Sequence, residues 1–107
     1  MKRIIIMAAL ICGSAHAEFM DGNKLLTDMQ SPQETWRMFA MGYIAGVADA
    51  SRGTQNCPPA NVLLGQANDA VRQHLEANPT TRHYSADIII NYVLSKAWPC
   101  AKKGTTL

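Results

Sequence analysis

Apolar residues recur at three- and four-residue spacing through most of the chain beyond residue 20, the pattern of amphipathic helices. A short first helix is predicted over 22–28, with Asp21 or Asn23 near its start and Leu25 and Leu26 facing inward. Ser31-Pro32 predicts the start of a second. Ser31 suits an N-cap, Pro32 the first helical position, and Glu34 the positive end of the helix dipole. From there Trp36, Phe39, Ala40, Tyr43, Ile44, Val47 and Ala50 form the apolar stripe, and Gly53 supplies a C-terminal stop.

Residues 53–61 contain Pro58 and Pro59, which cannot continue a helix, and read as a loop. A third helix is predicted over 62–77, with Leu63, Leu64, Ala67, Ala70, Val71 and Leu75 on one face and Asn78-Pro79 as its break. A fourth runs over 85–97 with Ser85 as N-cap, burying Ala86, Ile89, Ile90, Val93 and Leu94. The β-branched run Ile88-Ile89-Ile90 also admits a strand, but its polar flanks fit helical spacing better. Trp98-Pro99-Cys100 ends the helix, and the tail beyond is expected to be loose. The fold expected is all-α: a small four-helix bundle with a long, central second helix.

The first residues depart from this pattern. Lys2 and Arg3 precede a nine-residue apolar run, Ile4 to Cys12, and Ala15-His16-Ala17 places small residues at both key positions of a cleavage site. Nine residues fall far short of the roughly 20 that a membrane-spanning helix needs. A buried N-terminal helix is the competing reading, but the basic start and Ala-His-Ala end favour a secretory signal peptide over 1–17. Leu10 and Ile11 are too bulky for a lipoprotein site at Cys12. The mature chain is then residues 18–107, one domain, destined for export.

Removal of the signal changes the charge. The whole chain has 10 Lys+Arg and 8 Asp+Glu, two of the positives being Lys2 and Arg3. The mature chain is therefore formally neutral, with no electrostatic stripe for phosphates or anionic lipid, and nucleic-acid binding is excluded. It also retains just two cysteines, Cys57 and Cys100, which an oxidising compartment would pair. That bridge closes a loop of about 43 residues, for which chain entropy predicts on the order of 4 kcal/mol.

Catalytic constellations are missing from the sequence. It has no nucleophile elbow, no zinc-protease helix motif and no phosphate-cradling glycine loop. His74 and His83 lie nine apart with no evident ligand partner, so neither a metal nor a cofactor is expected, and no catalytic residue is assigned. Gly42 and Gly46 each weaken the second helix by about 1 kcal/mol relative to Ala, which suggests close approach of another helix, within the domain or across a dimer. Asp49, late in that helix, calls for a hydrogen bond to loop backbone or to Gln66, or for a partner. Met20, Met29, Met38 and Met41 read as core fillers.

One ordered set of segments is more specific. Residues 19–26 (Phe19-Met20-Asp21-Gly22-Asn23-Lys24-Leu25-Leu26) are followed by 42–50 (Gly42-Tyr43-Ile44-Ala45-Gly46-Val47-Ala48-Asp49-Ala50). Then come Cys57-Pro58-Pro59, Gly65-Gln66, Leu75-Glu76-Ala77-Asn78-Pro79 and Trp98-Pro99-Cys100. In this order and spacing the chain resembles the Rap/Tai family of immunity proteins over nearly all of its mature length. The resemblance implies a small exported helical protein, typically a homodimer, that binds and blocks a peptidoglycan amidase delivered by type VI secretion. The family pattern often carries two further cysteines, where this chain has Met29 and Ala40; both would-be partners of a second bridge are gone together.

Inhibition of that kind is occlusion, with a helix and a loop laid over the amidase cleft. The exposed face of the third helix (Asp69, Arg72, Gln73, Glu76) and the following loop (Asn78, Thr80, Thr81, Arg82, His83) are the corresponding candidates. A small periplasmic acid-stress chaperone and a structural envelope protein are the competing classes, the first weakened by the absence of an acidic cluster.

Overall fold

The computed structural model describes residues 19–101. The signal peptide and cleavage point read at 1–17, and the tail from 102 to 107, lie outside these residues. Four α-helices follow in chain order: α1 (Gly22–Met29), α2 (Glu34–Ser51), α3 (Leu64–Ala77) and α4 (Ala86–Ala97), with a 3-10 turn at Pro79–Thr81. Among the described residues there is no strand, and the Ile88-Ile89-Ile90 run is helical. The all-α bundle expected from the spacing is the fold observed.

The longest helix, α2, packs against the other three. The largest share of buried apolar side chains comes from α4, in Ala86, Ile89, Ile90, Val93 and Leu94, all five as expected. They meet Leu25 and Leu26 of α1, Ala40 and Ile44 of α2, and Ala67, Val71 and Leu75 of α3 in one core. Each full-sized aliphatic side chain removed from water there contributes about 1.5–3 kcal/mol. Met29 and Ala40 are both buried in this core.

Caps decide the boundaries. Asp21 caps α1, its carboxylate accepting from the Lys24 N–H at 2.8 Å. Ser31 does not cap α2. Its hydroxyl accepts from the Gln33 N–H at 3.1 Å in a tight local turn, and the helix begins at Glu34 behind Gln33. Local side-chain bonding of this kind competes with a cap and delays the helix. At the other end Gly53 takes φ +81, and its N–H reaches the Asn56 carbonyl at 2.7 Å. Asn56, itself buried, donates to the Ser51 hydroxyl at 2.6 Å and pins the loop to the end of α2.

The apolar stripe of α2 is rotated from the predicted one. Ala40 and Ile44 are buried and Tyr43 and Val47 partly so, but Trp36, Phe39 and Ala50 are exposed. The helix is apolar on two adjacent faces, and packing buries the one that carries Ala40 and Ile44. Among the described residues Gly42 and Gly46 serve no close contact, since a Cβ on either would meet nothing within 4 Å. Asp49 is paired with Arg52 at 3.4 Å, while Gln66 instead accepts the Leu63 N–H at 2.7 Å. Of the methionines expected to fill the core, Met20 and Met29 do so; Met38 is exposed.

Likewise α3 starts two residues later than predicted, and Leu63 and Leu64 stand exposed at its entry, beyond the edge of the core. Cys57 and Cys100 form the expected disulfide, with Cα atoms 4.8 Å apart. The Cys57 N–H also donates to the Trp98 carbonyl at 2.9 Å, so the proline loop is fastened to the end of α4 twice.

Candidate functional site

The polar face of α3 is an ordered ladder. Arg72 lies 3.1 Å from Asp69 and 4.0 Å from Glu76, at the three- and four-residue spacings that place side chains one above another. Gln30, from the end of α1, donates to the Glu76 carboxylate at 3.4 Å. Asp69, Gln73 and Glu76 are exposed, and Arg72 is half-exposed. Exposed pairs of this kind stabilise a fold by only about 0.2–1 kcal/mol, so little is lost if a partner recruits these charges.

Behind the ladder the chain turns sharply. Asn78 donates to the His74 carbonyl at 2.8 Å, and the Thr81 hydroxyl donates to the Asn78 carbonyl at 3.3 Å. Arg82 folds back onto α3, donating through Nε to the Leu75 carbonyl at 2.5 Å and through Nη2 to the Glu76 carbonyl at 3.1 Å. These are final-turn carbonyls that no helical N–H reaches, and a cation there also meets the negative end of the dipole. Arg82 therefore ties the loop to the α3 face, and of the predicted loop residues Thr80 and His83 are the ones left exposed. The His83 ring lies 4.5 Å from that of Tyr84.

A second tie comes from the N-terminal segment. The Asn23 and Gly22 N–H groups donate to the carbonyls of Arg82 and Tyr84 at 2.9 and 3.0 Å, and the Ala86 N–H donates to Met20 at 3.0 Å. Gly22 is required for this approach: a Cβ would come within 2.7 Å of the Arg82 carbonyl oxygen and 2.6 Å of Ile89. The loop over 78–84 is thus held from α3 on one side and from the start of α1 on the other.

The sequence reading missed the hollow beside this loop. A cavity of about 320 Å³ is lined by His74, Asn78, Thr81, Tyr84, Ile88, Ile89 and Tyr92. The His74 and Tyr92 rings sit 5.5 Å apart, and Tyr84, Ile88 and Tyr92 are each more than half exposed. The signal for it was Ile88 and Tyr92, four residues apart on the side of α4 away from its core stripe. An apolar floor with aromatic walls and an amide at its rim suits the capture of a side chain. His74 bonds Asn78 and lies tilted against the Tyr92 ring, and Cys57 and Cys100 are bonded to each other.

A small disulfide-tied helical domain with a braced loop, an ordered charge ladder and an aromatic hollow has the features of a binding module. Residues 21–100 match the model of the Rap1a immunity proteins. The chain belongs to that family, whose members act by binding a secreted effector. A comparison with curated proteins finds no match.

Proposed function

We propose that this chain is exported to the periplasm and there, as a homodimer, binds a peptidoglycan amidase delivered by type VI secretion. It closes the amidase cleft to substrate and performs no chemistry of its own. The observation that carries this reading is the double tethering of the 78–84 loop, through Arg82 to α3 and through Gly22 and Asn23 to α1. An occluding loop held in its bound shape before contact loses little entropy on docking, which favours tight inhibition. Thr80 and His83 at its tip enter the cleft, Asp69, Gln73 and Glu76 meet the polar rim, and the aromatic hollow receives an effector side chain. Such anchor-in-pocket contacts dominate interface energetics, and a formally neutral inhibitor must rely on them rather than on long-range steering.

The test is capture by residues 18–107, which contain the whole described domain, from lysates of bacteria that secrete such effectors, with mass spectrometry. Recovery of one stoichiometric amidase supports the reading. Recovery of many unrelated proteins at pH 2–3 would favour an acid-stress chaperone instead, and a clean preparation with no partner would count against both.

A further inference from the structure

The hollow beside the 78–84 loop carries a charge pattern that selects its occupant. None of the residues that line its volume of about 320 Å³ is acidic. The acids nearest in sequence are engaged elsewhere, Glu76 with Arg72 and Gln30, and Asp87 with the Ser85 hydroxyl. Lys96 stands at the edge instead, its ammonium 5.7 Å from the centre of the Tyr92 ring. It is exposed and has no ion pair among the described residues. Tyr84, the other exposed ring, lies against His83 at 4.5 Å. Each exposed tyrosine of the hollow thus has a basic side chain against it.

Aromatic walls alone would admit a cationic side chain or an aromatic one. The charges decide between them. A Lys or Arg entering here would meet Lys96 with no lining carboxylate to offset the repulsion. An aromatic ring meets Tyr84 and Tyr92, and an acid carried beside it finds an unpaired ammonium. Spacing then places that acid. Lys96 follows Tyr92 by four residues, about 6 Å along the axis of α4. In an extended segment alternate side chains point the same way and stand about 6.5 Å apart.

We propose that the hollow takes an aromatic side chain of the effector that has a carboxylate two residues away: the ring enters between Tyr84 and Tyr92, and the acid pairs with Lys96. The inference rests on the effector-binding reading above and names the side-chain chemistry that the hollow selects. The buried ring supplies affinity, and the charge at the rim supplies discrimination.

The probe is the acetylated, amidated pentapeptide Ala-Trp-Ala-Glu-Ala, titrated into isotope-labelled residues 18–107 and followed by amide chemical shifts. Two control peptides carry Lys in place of Glu and Ala in place of Trp. The Trp-Ala-Glu peptide should give saturable shifts at Thr81, Tyr84, Ile88 and Tyr92. The Lys peptide should bind about threefold or more weakly, the scale of one exposed ion pair, and the peptide without Trp should give no saturable shift. Lys96→Glu, at an exposed position, should reverse the order of the Glu and Lys peptides, and Tyr92→Ala should abolish the shifts in a spectrum that is otherwise folded. No saturable shift at millimolar peptide, or equal binding of the Glu and Lys peptides, would overturn the assignment. Effector capture is judged by its own assay. An amidase captured as tightly by Lys96→Glu and Tyr92→Ala as by wild type would overturn the hollow and leave inhibition standing. Peptide binding in the predicted order with no captured effector would sustain the chemistry of the hollow and overturn the function proposed above.

Discussion

Arg82 donates to the carbonyl of Leu75 seven residues before it, and through that contact the loop after α3 is bound to the helix it leaves. Its backbone carbonyl accepts from Asn23 at 2.9 Å, so one residue holds both tethers of the loop. The polar face of α3 and the exposed tip at Thr80 and His83 therefore move as one body.

Arg82→Ala should lower stability by about 1.5–3 kcal/mol, the usual range for hydrogen bonds to a charged group. Amide exchange should quicken over 78–84 and change little in the core of α4. Effector affinity should fall with the loss of the braced loop, since the Arg82 guanidinium is turned onto the end of α3. Arg82→Lys should recover only part of the loss, because one ammonium cannot reproduce the two-pronged contact.

Gly22→Ala tests the second tether. The added methyl has backbone on one side, the Arg82 carbonyl oxygen, and Ile89 on the other. A destabilisation of about 1–3 kcal/mol is expected, readable in urea unfolding, since overpacking of this kind forces a backbone shift. Ala at Gly42, where the space is open, should stabilise the isolated helix instead.

The bridge between Cys57 and Cys100 spans 43 residues of sequence. Replacing both with Ala should cost on the order of 4 kcal/mol. For a domain of this size that corresponds to a fall in melting temperature of at least about 15 °C. Intact-mass analysis of residues 18–107, purified without reductant, should find no free thiol.

Tyr43 gives the fold a dependence on high pH. Burial pushes its phenol above the usual value of 10.0, and the carboxylate of Asp87 raises it further. The folded state then holds its proton where the unfolded chain has already lost it. The contribution is complete below about pH 10 and fades as pH rises through the folded-state value. Unfolding curves between pH 9 and 11.5 should show wild type losing more stability than Tyr43→Phe, and Asp87→Asn should narrow the difference.

The helices and the disulfide were readable in the sequence because period, caps and cysteine count each act locally. All five predicted core positions of α4 are buried, and Cys57 pairs with Cys100. In α2 the pattern held in part: Ala40, Tyr43, Ile44 and Val47 of the predicted stripe turn to the core, and Trp36, Phe39 and Ala50 do not. The apolar residues of α2 cover two adjacent faces, and periodicity alone does not say which one the other helices cover. Ser31 failed as a cap because a hydroxyl that can cap a helix can equally close a turn two residues on. The site was legible only in part. Its polar residues stood out by position, but the inward turn of Arg82, the close approach at Gly22 and the walls of the hollow depend on contacts between segments far apart in sequence. No local spacing encodes those.

The central claim is inhibition by the braced loop, and a titration tests it most directly. A type VI peptidoglycan amidase captured by this chain would be assayed on purified cell wall with increasing amounts of residues 18–107, in parallel with Thr80→Ala/His83→Ala and Tyr92→Ala. The account predicts that hydrolysis stops at one equivalent of wild type, and that both sets of changes weaken inhibition at least about tenfold while the variants stay folded. Unchanged hydrolysis at saturating wild type, or full inhibition by the altered loop and hollow, would contradict it.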